Sequence, residues 1–121
     1  MLNMVIVIGK LTRPLQVRSL PSGVRLASFD LHVVRADESV DTVPVALFDT
    51  AENAVEWKTG EELLVVGRVR RRFFRIGGST QSRTEVVAEI ALSLNHKDKV
   101  CTALADAGTA LAGLVADFSA G

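Results

Sequence analysis

Apolar and polar residues alternate along the first two-thirds of the chain in short runs, and that period marks out strands rather than helices. Val5-Ile6-Val7-Ile8 opens a β-branched run reaching Leu11, which predicts a strand, with Gly9 marking a bend or bulge where it curls. Pro14 restricts the backbone after that strand, and Pro21-Ser22-Gly23 is a turn signal. In the next strand Ala27, Phe29, Leu31 and Val33 form a wholly apolar set that should face a core. Leu26, Ser28, Asp30 and His32 fall on the opposite side. Residues 36–42 read as an acidic loop. The strand at 43–48 turns Val43, Val45 and Leu47 one way and Pro44, Ala46 and Phe48 the other, and its proline favours an edge or a strand start. Thr50 can cap a short helix over 51–58, with Gly60 just past its end. A long strand at 63–76, a flexible Gly77-Gly78-Ser79 tip and a returning strand at 83–94 complete the pattern.

Three strands, a short helix and two more strands is the order of a five-stranded Greek-key barrel, the OB-fold. The expected fold is therefore mainly β, with residues 1–95 as one domain. From residue 96 to 121 alanine dominates, and Val100, Leu104, Leu111, Val115 and Phe118 recur at helical spacing. Gly108 and Gly113 each cost a helix about 1 kcal/mol relative to alanine. The tail reads as a marginal helix that needs a surface to pack on, or as a loosely ordered extension.

At 121 residues the chain suffices for one core. Its 14 basic and 14 acidic residues cancel, which at first argues against a nucleic-acid partner. Resolved along the chain, the balance breaks into blocks. Residues 1–35 hold five basic residues against Asp30, and residues 36–62 hold eight acids against Lys58. Residues 63–83 carry six arginines and no acid. A local basic surface survives the neutral total.

One cysteine, Cys101, excludes an internal disulfide and is expected to be an inert packing thiol. His32 and His96 are the only imidazoles, no metal-ligand spacing exists, and no glycine loop cradles a phosphate. An enzyme, a cofactor and a metal are all unexpected. The apolar run at 5–8 is too short for a signal peptide or a membrane span, so a soluble cytoplasmic protein without a membrane partner is expected.

The sharpest chemistry lies in Arg68-Val69-Arg70-Arg71-Arg72-Phe73-Phe74-Arg75. In a strand, Arg68, Arg70, Arg72 and Phe74 share one face, pairing guanidinium charge for phosphates with an aromatic face for bases. The bland alternative is a solvated hairpin with Phe73 and Phe74 buried. Phe48, opposite its strand's apolar set, is a second candidate platform, while Trp57 suits packing at one end of the barrel. Lys10, Arg13, Arg18 and Arg35 could extend the basic surface.

Taken in order, several segments resemble the bacterial single-stranded DNA-binding proteins. They are the run from Asn3 to Leu11, Val17-Arg18 through Pro21-Ser22-Gly23, Val45-Ala46-Leu47-Phe48, Ala51-Glu52-Asn53, Gly67-Arg68-Val69-Arg70 and Thr84-Glu85-Val86-Val87-Ala88-Glu89. The likeness spans residues 3–94. It implies an OB-fold that binds single-stranded DNA without sequence preference, as a homotetramer, in replication, repair and recombination. It also implies base stacking on Phe48 and Phe74, with Arg70 and Arg72 on the strand positions next to Phe74 and Arg18 as the basic residue before the turn. Asp37 and Thr42 stand where the family commonly has tryptophan, Ser19 where tyrosine is common, and Val43 where an aromatic or histidine is usual. Leu114-Val115-Ala116-Asp117-Phe118-Ser119 does not reproduce the family's acidic tip, so recruitment of replication proteins through such a tip is not expected. The resemblance thus points to a divergent or accessory paralogue. The competing expectation is an OB-fold turned to protein interaction or oligomerisation, with weak nucleic-acid affinity.

Overall fold

Gly77 and Gly78 fix the register of the longest ladder in the protein. Their φ angles are 55° and 84°, the left-handed region that a two-residue hairpin turn demands and glycine adopts at no steric cost. The computed structural model describes residues 2–49 and 56–120. Strands β1 (Val5–Leu11), β2 (Gln16–Ser19), β3 (Arg25–Val34), β4 (Val40–Phe48), β5 (Glu62–Ile76) and β6 (Ser79–Ser93) precede helix α1 (Lys97–Ala120). The tip is therefore a tight turn with Ile76 opposite Ser79, and β6 begins four residues earlier than the sequence pattern suggests.

The strands close into a barrel. β1 pairs with β5, β5 with β6, β6 with β4 in parallel, β4 with β3, and β3 returns to β1 through Lys10↔His32 and Leu11↔Leu31. That circuit is the OB-fold order. The sixth strand, β2, continues the path of β1 along β3, from Gln16↔Ser28 to Ser19↔Arg25. All four of its residues are exposed, so it carries no apolar alternation by which to be read. Gly9 lies where β1 leaves β5 for β3; a Cβ there would sit 2.9 Å from the His32 carbonyl oxygen. A register slip between Val66 and Gly67 makes Glu89 the extra residue of a bulge, and a Cβ on Gly67 would overlap the Val87 carbonyl oxygen.

Pro44 is inside a strand paired on both sides rather than on an edge. The parallel ladder to β6 takes in only Val45 and Ala46, which leaves the proline just beyond its end. β4 also begins at Val40, absorbing part of the expected acidic loop. Most of the helix expected over 51–58 lies outside the described residues, and Glu56, Trp57 and Lys58 are not helical.

Among the described residues, two apolar clusters hold the fold. Leu11, Phe29, Leu31, Val45, Leu63, Val65, Val86 and Ala88 fill the barrel. Trp57 packs against this core, its ring edge-on to Phe29 at a centroid distance of 5.6 Å and an interplanar angle of 72°. The second cluster lies outside the barrel, where Leu64 and Val66 are covered by Ala103, with Val100, Ile90 and Leu92 packed around them. The tail thus becomes a continuous helix because a sheet face receives its first turns. Small side chains make that docking close, and the two buried residues of α1 are Ala103 and Ala107. Further along, Leu111 and Val115 are exposed, as is Phe118 at 80%. Cys101 is exposed too, contrary to the packing role expected of it. By length and composition alone α1 would suffice to cross a membrane; its first half is instead docked on the barrel.

Candidate nucleic-acid interface

The period of two on β3 and β4 turns Leu26, Ser28 and Asp30, with Phe48, Ala46 and Pro44 opposite them, onto the outer wall of the barrel. Arg18 on β2 joins that wall opposite Leu26. β6 runs beside β4, so the arm formed by β5 and β6 rises along the same wall. Its pairs Arg70↔Glu85 and Arg72↔Arg83 turn their side chains toward it. Between arm and wall lies a groove of about 290 Å³ whose lining includes Arg18, Leu26, Phe48, Arg70, Arg72 and Arg83.

Its charges are organised around one carboxylate. Glu85, only 6% exposed, accepts a hydrogen bond from Arg70 Nη2 at 2.8 Å and another from Arg72 Nε at 3.2 Å. Burial pushes the Glu85 pKa up, but the hydrogen bonds and positive charge of the two arginines outweigh it and hold the group below its ordinary value. Arg70 in turn lies 5.3 Å over the Phe48 ring, and Arg72 lies 5.3 Å over Phe74. Arg83 is ion-paired at 3.6 Å with Asp30, which lies just outside the groove lining. Among the described residues, four arginines line the groove with Glu85 as its one carboxylate, so the lining keeps an excess of positive charge beside an aromatic ring. Positive charge beside an aromatic face is the chemistry that complements phosphates and unstacked bases.

Of the residues singled out from the sequence, Arg18, Phe48, Arg70 and Arg72 are brought together in the groove. Arg68 shares the arm's face but lies outside the lining, opposite Val87. Phe74 is half-buried beneath Arg72. Lys10 pairs with His32 farther along the wall, beyond the lining residues. Arg35 stands at the end of β3 and turns to acids, 3.9 Å from Asp37 and 3.5 Å from Asp41. Neither Lys10 nor Arg35 belongs to the groove. Arg83 and Glu85 were missed as partners of the arginine run. Only the two-residue turn, which places them opposite Arg72 and Arg70, could have revealed them.

Comparison with known proteins matches residues 2–94 to the single-strand binding protein family. The chain is 34% identical to single-stranded DNA-binding protein 1 of Streptococcus pyogenes, over 88% of this chain and 90% of that protein. It is 36% identical to the single-stranded DNA-binding protein of Streptococcus pneumoniae, covering 74% of this chain and 63% of its relative. Among solved structures, the dimeric N-terminal domain of PriB from Thermoanaerobacter tencongensis superposes with a TM-score of 0.61. It shares 21% identity over 75% of this chain and 94% of its own, a likeness of fold. With the barrel order, the grooved wall and the family match in agreement, the chain belongs to the single-strand binding protein family.

Proposed function

We propose that the protein binds single-stranded DNA without sequence preference, along the groove between the β5–β6 arm and the wall of β2, β3 and β4. The observation that carries this reading is Phe48 on the groove lining with Arg70 across its ring and Arg18, Arg72 and Arg83 around it. Stacking reads the π-face that every base has, and guanidinium groups read phosphates, so neither contact selects a sequence. Relatives named single-stranded DNA-binding proteins support the same ligand. Family membership makes this a binding protein and not an enzyme.

In this proposal the protein works in the cytoplasm on DNA exposed during replication, repair or recombination, as a homotetramer. Support for self-association comes from Ile6 and Ile8 on β1, which are 43% and 45% exposed.

The test is an anisotropy titration with labelled oligo-dT at two salt concentrations, with mass in solution measured alongside. If the groove neutralises about two phosphates, log K falls against log salt with a slope of about −1.4 per subunit. Salt-insensitive affinity, or none, would overturn the reading in favour of a protein-interaction module.

A further inference from the structure

The arm has a second face. Alternation along β5 turns Val69, Arg71, Phe73 and Arg75 away from the side that carries Arg70, Arg72 and Phe74. On this rear face Phe73 is 64% exposed, and the Arg71 guanidinium lies 5.3 Å over its ring. The front pair, Arg72 and Phe74, has the same spacing of 5.3 Å. One arm thus carries the same cation-and-ring unit on both sides.

The two sides differ in what holds the cations. At the front, Glu85 takes hydrogen bonds from Arg70 and Arg72 and offsets part of their charge. At the rear the paired residues on β6 are Thr84, Ser82 and Thr80, opposite Arg71, Phe73 and Arg75. Arg71 Nη2 donates to Ser82 Oγ at 3.1 Å, and Arg75 Nη2 donates to the Gly78 carbonyl at 2.9 Å. Both acceptors are neutral. The rear arginines therefore keep their full charge beside hydroxyl donors and an open aromatic ring, the combination a sugar-phosphate chain with unstacked bases requires.

We infer that the rear face of the arm is a second contact for single-stranded DNA, taking nucleotides that continue past the groove and around the arm. Phe73 supplies the stacking platform, and Arg71 and Arg75 hold the flanking phosphates. This inference rests on the groove being the primary site. It adds a length dependence that the groove alone does not have, because an oligonucleotide filling only the groove never reaches Phe73.

The experiment measures affinity for a dT oligonucleotide of about 8 nucleotides, within the range of site sizes of single OB-folds, and one of about 30, beyond it. Phe73→Ala should weaken binding of the long oligonucleotide at least about fivefold, the low end of one lost stack. Arg71→Ala should weaken it and flatten its salt slope, and both should leave the short one within about twofold. Phe48→Ala, on the groove lining, should weaken both. Phe73→Trp should retain affinity, and its added fluorescence should be quenched by the long oligonucleotide only. Phe73 is exposed, so unchanged thermal unfolding is expected for its variants and separates lost contact from lost fold. Wild-type affinity of Phe73→Ala for the long oligonucleotide would overturn the rear-face contact while leaving the groove reading intact. A fall in solution mass in that variant would also overturn it, assigning the face to a second copy of the chain. Failure of the unaltered protein to bind either oligonucleotide would overturn the groove reading, and this one with it.

Discussion

Arg70 lies 5.3 Å over the ring of Phe48, joining the arm to the barrel wall through a cation–π contact. A base that stacks on Phe48 therefore finds a guanidinium group already beside it. Phe48→Ala should weaken oligo-dT binding by about 1–3 kcal/mol, the worth of one base–aromatic stack. The same titration should show little change in salt slope, since no cation is removed. Arg70→Ala should do the reverse and flatten the slope.

Glu85→Gln separates binding from stability. Removing the carboxylate raises the positive charge of the groove by one, so affinity at low salt and the salt slope should both increase. The same change weakens two charge-assisted hydrogen bonds at a buried acceptor. Thermal unfolding should register a loss of about 1–2 kcal/mol, discounted for the partial exposure of the arginines.

The pH dependence arises from the same residue. Its folded pKa is held below the ordinary glutamate value of 4.5, so its contribution is fully present above that value. Stability is lost as pH falls from there through the lower folded pKa. Melting temperature attributable to Glu85 should be flat above about pH 5 and decline in more acidic buffer. The decline should be shallower in Glu85→Gln.

Gly67→Ala places a methyl group against the Val87 carbonyl oxygen at the bulge. Backbone must move to admit it, and denaturant unfolding should show a loss of about 2–3 kcal/mol. The arm is aligned through this point, so oligo-dT affinity should fall as well.

Ala103→Asp puts a charge where α1 meets Leu64 and Val66. Undocking the helix should reduce the helical circular dichroism signal and expose apolar surface to a hydrophobic dye. The groove, built from β2 to β6, should bind DNA as before.

Period alone was enough to locate the barrel core. Phe29, Leu31 and Val45 fall on the predicted inward parity, and all are buried. The outward parity of Phe48 and the arginine face of β5 were readable in the same way. The closing of the site was not. Glu85 looks like any acid near a strand start until Gly77 and Gly78 fix the turn, and only then does it fall between Arg70 and Arg72. Arg35 misled for the opposite reason, since its acidic neighbours Asp37 and Asp41 are close in the sequence yet its separation from the groove depends on how β3 ends. The helical period of the tail was legible, but the residues that bury are Ala103 and Ala107, which no scale of apolarity favours over Leu111 or Phe118.

The two-residue turn has a kinetic consequence. A ladder that starts at Ile76↔Ser79 and zips to Leu63↔Ser93 pays almost no loop-closure entropy, so the arm can assemble from neighbouring segments of chain. Seating the arm on the wall and closing the barrel are different, because Val45↔Val86 and Lys10↔His32 join distant positions. Refolding should therefore yield the arginine arm before the closed barrel, and the recovery of DNA affinity in a stopped-flow experiment would time the last closure rather than the first.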